Sequence, residues 1–243
     1  MSEMIVPKYA WIASVRNKEA WIGETIKSLL DQEVQEFEAI FVDDESTDST
    51  PLVLAHYVKK DPRFKVVTLK ENMGVGYALN RATEQVTAPI ILVASGDDVY
   101  SKQRSKITLD WFTEHPETDV YYGDFVLTDG ALNALALKTV VAFDLEEYKK
   151  ILPNGRANQT VPHGFCGYRT KVGQTVPYVE DRKVGNDYPF FLHVAEAGFK
   201  FSHDNCQERL GRNMGFYRLL PNSVTVQHAK EIQERDRELA HSR

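Results

Sequence analysis

The sequence predicts an α/β protein: a mostly parallel central sheet with helices on both faces. Three observations carry this expectation. Short apolar runs alternate with stretches of helical periodicity through the first half of the chain. Each run is apolar along its whole length, as strands buried on both faces are. Two of the runs end abruptly in acidic residues, and parallel sheets bind ligands at the carboxyl ends of their strands, near the topological switch point.

The elements follow in order. Tyr9 to Val15 is a strand rich in apolar and β-branched residues, and Glu19 to Gln32 places Trp21, Ile22, Ile26, Leu29 and Leu30 at helical spacing. Phe37 to Val42 is a second buried-type strand. The helix after it starts at Ser49 or Thr50 as cap, with Pro51 at its first position, and runs to about Lys60. Phe64 to Leu69 is a strand, Gly76 to Val86 a helix, Pro89 to Ala94 a strand, Lys102 to His115 a helix and Val120 to Phe125 a strand. Gly130 to Gly173 mixes apolar pieces with turn residues, Asp187 to Ala197 is helical, and Ala229 to Arg243 is a charged, helical tail. No linker splits the chain, so residues 1–228 form one domain: a ligand-binding half over about 1–125, a second half over about 126–228, then the tail.

Composition narrows the function. A chain of 243 residues supports one sizeable core. Its formal net charge of −6 argues against a domain that holds nucleic acid by its phosphates. The start, MSEMIVPKYAW, lacks the basic stretch and apolar run of a signal peptide, and no apolar run approaches the roughly 20 residues of a membrane span. Cys166 and Cys206 fit no metal spacing and are read as buried thiols. The expected location is the cytoplasm, with the inner membrane surface as an alternative. Asn158-Gln159-Thr160 matches a glycosylation acceptor pattern that is accidental in such a setting.

Asp43-Asp44-Glu45 and Ser95-Gly96-Asp97-Asp98 each follow an apolar strand. Together with Ser14 they fall on one edge of the sheet. Carboxylates crowded into one cleft need a compensating cation or hydrogen-bond donors, and Mg²⁺ or Mn²⁺ binds through one or two carboxylates plus substrate phosphates. A single Asp after a strand is more often a cap, and Asp48 with Ser49 is read as one.

In order along the chain stand Ser14-Val15-Arg16-Asn17, Val42 to Asp48, Asn72-Met73-Gly74 with Ala78-Leu79-Asn80, Ser95 to Asp98, Gly185-Asn186-Asp187, and Tyr217 to Val224. This series resembles the family-2 inverting glycosyltransferases of the GT-A fold, over roughly residues 8–225. The resemblance implies a nucleotide diphosphate sugar donor, UDP-linked by expectation, a divalent metal (Mn²⁺ or Mg²⁺) and transfer of one sugar with inversion. It places Ser14, Asn17, Asp43, Asp44, Asn72, Gly74, Ser95 and Gly96 on the nucleotide, with Asp44 foremost against the base. It places Asp97 on the metal with Asp98 beside it, and makes Asp187 the catalytic base. His163, Phe165, Tyr168, Arg169 and Asn186 fall on the acceptor side, although the string Val161 to Arg169 reads equally well as a buried loop turned by Gly164 and Gly167.

Three positions depart from the family pattern: Ser95 replaces the first Asp of D-x-D, Asn186 replaces a Glu before the catalytic Asp, and Leu220 replaces a late His for which His163 or His228 could stand in. The Q-x-x-R-W motif of processive synthases is absent from the sequence. The acceptor is an unidentified hydroxyl on a glycan, lipid-linked sugar, protein or small molecule, nucleic acid being disfavoured by charge, and a homo-oligomer stays open. A haloacid-dehalogenase-type phosphatase is the rival enzyme, since Asp43 to Thr47 nearly spells D-x-D-x-T. Glu45 in the acid/base position and only about fifty residues to the next motif count against it. Gly74-Val75-Gly76 lacks the third glycine of a dinucleotide fingerprint. A nucleotide-sugar-binding protein without catalysis is the remaining alternative.

Overall fold

The computed structural model describes residues 6–151, 161–181, 185–204 and 213–221. The tail 229–243, Cys206, His228, Asn158 to Thr160 and Asn222 to Val224 lie outside the described residues.

The first half is a run of strand–helix units: β1 (Tyr9–Val15), α1 (Ile22–Leu30), β2 (Phe37–Asp43), α2 (Thr50–Lys60), β3 (Phe64–Thr68), α3 (Val75–Thr83) and β4 (Ile90–Ser95). A two-residue strand β5 (Val99–Tyr100) and α4 (Arg104–Glu114) follow. The second half holds β6 (Val120–Gly123), β7 (Phe125–Thr128), β8 (Ala134–Lys138), α5 (Leu145–Ile151), a single turn at His163–Phe165, β9 (Cys166–Arg169), α6 (Thr170–Thr175), α7 (Asp187–Glu196), β10 (Phe201–Asp204) and β11 (Gly215–Arg218).

The main sheet has seven strands in the order β10-β6-β9-β4-β1-β2-β3. Every neighbouring pair is parallel except those that β9 makes with β4 and β6. The chain moves outward from β1 to β3 and then returns to place β4 on the other side of β1, so the switch point lies between β1 and β4.

The strand sequences explain both cores. On one face Ala10, Ile12, Ile40, Val42, Ile91 and Val93 pack with residues of α3, α6 and α7. On the other, Trp11, Ala13, Ala39, Phe41, Leu92 and Ala94 pack with residues of α1, α2 and α4. Alternate residues therefore serve two separate layers, which is why these strands are apolar throughout.

Two expectations are corrected in the second half. Val120 to Phe125 is not one strand, because Asp124 interrupts it. Fully buried, Asp124 accepts the Val140 amide on Oδ1 (2.7 Å) and the Met214 amide on its carbonyl (2.7 Å). The chain thereby passes from the main sheet into a second sheet of order β5-β11-β7-β8. Nor is Val161 to Arg169 a loop throughout: Cys166–Arg169 is β9, inserted antiparallel between β4 and β6. Among the described residues no helix is long and apolar enough to cross a membrane.

Candidate active site

The switch-point edge collects the acidic residues. Ser14 pairs in register with Ser95 across β1 and β4, and Val15 pairs with Asp43 across β1 and β2. The loops leaving these strands are tied together by their own side chains. Asn17, at φ 52°, donates its amide to Ser46 Oγ (2.9 Å), and its Oδ1 accepts the Thr47 amide (2.8 Å). Asn is among the few residues that adopt this left-handed conformation readily. Asn17 thus shapes the loops at this edge. The start of α2 is capped from Asp48, whose Oδ1 accepts the Thr50 amide (2.9 Å) while Oδ2 accepts the Glu19 amide (3.0 Å). The cap oxygen is therefore one residue upstream of Ser49.

The two acids after β2 have different surroundings. Asp44 accepts the Met73 amide on Oδ1 (2.7 Å) and the Gly74 amide on Oδ2 (2.9 Å), which pins the Asn72–Gly74 turn at the start of α3. Gly74 sits at φ 91°, a conformation that favours glycine. Each Asp44 oxygen keeps a second lone pair for a ligand. Asp43 is 1% exposed and its Oδ1 is buried without a hydrogen bond, which leaves an acceptor in want of a donor at the cleft wall.

After β4, the Ser95 amide bonds to the Tyr100 hydroxyl (2.7 Å). Asp97 forms an ion pair with Lys18 (2.5 Å). Gly96 makes this approach feasible, since a Cβ there would stand 2.9 Å from both Lys18 Cγ and Val15 Cγ1. Asp98 lies deeper. Its Oδ1 accepts the Arg218 amide (3.0 Å), its carbonyl accepts the Thr25 hydroxyl (2.7 Å), and its Oδ2 is buried without a hydrogen bond of good geometry. Burial, reinforced by the Asp97 carboxylate, pushes its pKa up to about 7.

These residues fit a divalent cation. They are adjacent hard oxygen donors, Asp97 facing Lys18, and Asp98 carries a buried Oδ2 without a hydrogen bond of good geometry. Among the described residues no cluster of three metal-ligating side chains exists. The fit is to a metal completed by substrate phosphates.

The acceptor-side residues are split. The turn His163–Phe165 lies against the acidic edge: a Cβ on Gly164 would stand 3.1 Å from Ser95 Oγ and 3.3 Å from Asp98 Oδ2. His163 Nε2 hydrogen-bonds the Tyr178 hydroxyl (2.9 Å). Burial lowers the His163 pKa, opposed by the nearby Asp187 carboxylate, while Arg104 pushes the same way as burial. Asp187, the first residue of α7, is within electrostatic reach of His163, whose turn packs on the Ser95–Asp98 edge. Asn186 donates Nδ2 to the Val179 carbonyl (2.6 Å), which a glutamate at this position could not do.

Phe165 and Tyr168 are core residues, 1% and 0% exposed: Phe165 stacks on Phe125, and the Tyr168 hydroxyl meets Tyr178 inside the protein. Arg169 pairs with Ile90 at the amino end of β4, away from the acidic edge, and donates to the carbonyls of Thr118, Phe112 and Pro116. An antiparallel strand carries its last residue to the opposite end of a parallel sheet, so Arg169 is displaced from the cleft. Leu220 is buried and apolar, which leaves that position without a metal ligand.

Three functional supports escaped the sequence. Arg104 is fully buried, donates to the carbonyls of Val93, Gly164 and Cys166, and lies 4.8 Å from the Trp11 ring and 4.5 Å from the Tyr100 ring. It holds the Gly164 turn against the cleft. Arg218, 1% exposed, pairs with Glu24 and lies over Trp21. Lys18 is the cation at Asp97. Lys18 is a base next to Asn17 on a loop facing an acidic edge, and Arg218 stands in the Tyr217 to Val224 stretch; neither is assigned a role from sequence, and Arg104 has no such signal.

An acidic switch-point cleft on this seven-stranded sheet is the arrangement of the GT-A fold. The chain belongs to glycosyl transferase family 2, whose pattern it matches over residues 11–173. Bacillus subtilis TuaG, assigned as a glycosyltransferase to teichuronic acid biosynthesis, is 35% identical over 111 residues, 46% of this chain and 41% of TuaG. Staphylococcus aureus TarS, a poly(ribitol-phosphate) β-N-acetylglucosaminyltransferase, is 33% identical over 111 residues, 44% of this chain and 19% of TarS. Both are much longer than the stretch this chain spans. The structure of TarS 1–349 with UDP-GlcNAc superposes at a TM-score of 0.69 with 22% identity, over 89% of this chain and 60% of that one. The mannosyltransferase PcManGT of Pyrobaculum calidifontis, solved with GDP-Man and Mn²⁺, gives 0.65 at 16% identity over 94% and 61%. Family membership sets the phosphatase and dehydrogenase readings aside.

Proposed function

We propose that the protein transfers a single sugar, with inversion, from a nucleotide diphosphate sugar, UDP-linked, to an acceptor hydroxyl. The observation that carries this reading is the assembly of Asp43, Asp44 and Asp97 on one switch-point edge, with Asp187 opening a helix whose charge reaches the His163 turn packed on that edge. In this reading Asp43 and Asp44 receive the nucleoside. The Asp43 oxygen now without a donor accepts from it, and Asp44, already fixed by two amides, is oriented for it. Ser14, Ser95 and Gly96 line the floor of the same cleft.

Asp97, with Asp98 beside it, would hold a divalent metal, Mn²⁺ or Mg²⁺, which when bound neutralises charge growing on the leaving diphosphate. Asp187 takes the proton of the acceptor hydroxyl as its oxygen bonds to the anomeric carbon and the bond to the diphosphate breaks on the opposite side. A positioned general base of this kind contributes about 10²- to 10⁴-fold. His163, held by Tyr178, lies within electrostatic reach of that carboxylate on the acceptor side.

Thermal unfolding against a panel of nucleotide diphosphates, with Mn²⁺, with Mg²⁺ and with chelator, tests the donor site. A nucleotide at 100 times its dissociation constant adds about 2.7 kcal/mol, about 5–10 °C for a chain of this size. A metal-dependent shift lost in Asp97→Ala supports the reading; no shift with any nucleotide sinks it. Product formation from a nucleotide sugar separates an active transferase from a protein that only binds the donor.

A further inference from the structure

A bundle of contacts between α3 and the segment leading to α7 has no part in the chemistry described so far. Asn80, on the buried side of α3, makes three hydrogen bonds to residues about a hundred positions away. Its Oδ1 accepts the Tyr178 amide (2.8 Å), and its Nδ2 donates to the Tyr178 carbonyl (2.9 Å) and to Glu180 Oε1 (2.7 Å). One side-chain amide thus clasps both backbone groups of Tyr178, as a neighbouring strand would.

One turn earlier on the same helix, Gly76 lets the two segments touch. A Cβ there would stand 2.2 Å from the Val179 carbonyl oxygen and 2.4 Å from Asn186 Nδ2, distances that real Cβ atoms do not tolerate. Asn186 in turn donates to that Val179 carbonyl (2.6 Å), and Asp187 is the next residue. Tyr178 carries the clasp toward the cleft: its ring stacks on Phe190 of α7 at 4.0 Å, and its hydroxyl meets His163. Meanwhile the start of α3 is fixed to Asp44 through the Met73 and Gly74 amides. A single helix of nine residues is therefore bolted at one end to the nucleotide side of the cleft and along its flank to the start of α7.

We infer that Asn80 is a positioning residue: with Gly76 it sets the distance between the donor site and Asp187 by fixing Tyr178–Glu180 and Asn186 to α3. Asn80 touches neither substrate in this account; it acts through the backbone that carries Asp187. The inference rests on Asp187 being the base. Misplacing a reacting group by about 1 Å costs about 10²-fold in rate, so the expected signature is a fall in kcat with donor recognition intact.

The test measures kcat, donor KM and nucleotide-induced thermal stabilisation for the wild type, Asn80→Ala, Asn80→Asp, the double variant Asn80→Asp with Glu180→Gln, and Asp187→Asn. Asn80→Ala is expected to lose about 10²-fold in kcat while donor KM and the nucleotide shift stay near wild type. Asn80→Asp keeps an acceptor for the Tyr178 amide but loses both donors and faces Glu180. Glu180→Gln in that background supplies a donor to the new carboxylate and recovers part of kcat. This pair decides the matter if Asn80→Ala does not fold. Wild-type kcat in the Asn80 variants overturns the inference, as does loss of the nucleotide shift in step with kcat. Full turnover in Asp187→Asn overturns the assignment of the base, whatever the Asn80 variants do.

Discussion

The two sides of the cleft are built by opposite means. The donor side is the more local: Asp43, Asp44 and Ser95 to Asp98 stand directly at or after strands β2 and β4, and the loops beside them are closed by Asn17, Asp44 and Asp48 with partners no more than 30 residues away in sequence. The acceptor side is long-range. The Gly164 turn is held by Arg104 and the Tyr178 backbone by Asn80, partners 60 and 98 residues apart in sequence. A site of the first kind follows from sheet topology alone. A site of the second kind depends on single buried polar side chains, so it is where substitution should separate catalysis from binding.

Replacing those side chains sharpens the contrast. Arg104→Met leaves the carbonyls of Val93, Gly164 and Cys166 without their donor and should cost about 3 kcal/mol, read as a lower urea midpoint. An unchanged midpoint would show that the Gly164 turn needs no such tether. Asp44→Ala frees the Met73 and Gly74 amides and should weaken nucleotide binding by at least tenfold, about 1.4 kcal/mol, measured by calorimetric titration. Asp48→Ala removes the cap of α2 and should cost about 1 kcal/mol, read as a lower urea midpoint; an unchanged midpoint would show that α2 needs no such cap.

The smallest effect is in pH. Burial lowers the His163 pKa below its ordinary value of 6.5, Arg104 adding to this and Asp187 opposing it. The unfolded chain then takes up a proton that the native His163 refuses. The stability contributed by the neutral ring is present above pH about 6.5 and is lost as pH falls through the window below it. His163→Gln should flatten that part of the stability-versus-pH curve; an identical curve would show that the ring titrates freely in the fold.

The same contrast explains what could be read from the sequence. β1 to β4 and their helices were legible because each strand is apolar on both faces and each helix has its own periodicity. The acidic edge followed, since Asp43 and Asp97 sit next to recognisable strands. β9 was not legible: a four-residue strand, with glycines on either side of Phe165 and Cys166, carries no strand signal, and only insertion between β4 and β6 makes it one. Asp124 was missed because the chain crosses between sheets there, which no local pattern announces. Arg169 was placed on the acceptor side by its neighbourhood in sequence, but the reversed direction of β9 carries it to the far end of the sheet. Asn80 stood in a recognised motif without a role, its partners lying about a hundred residues downstream.

The central claim is that one edge binds the donor while Asp187, delivered from the other side, performs the proton transfer. Asp187→Asn, measured for both nucleotide-induced stabilisation and sugar transfer, tests it most directly. A shift equal to that of the wild type and a kcat lower by about 10²- to 10⁴-fold are expected. Transfer at the wild-type rate, or loss of nucleotide binding together with transfer, would contradict it.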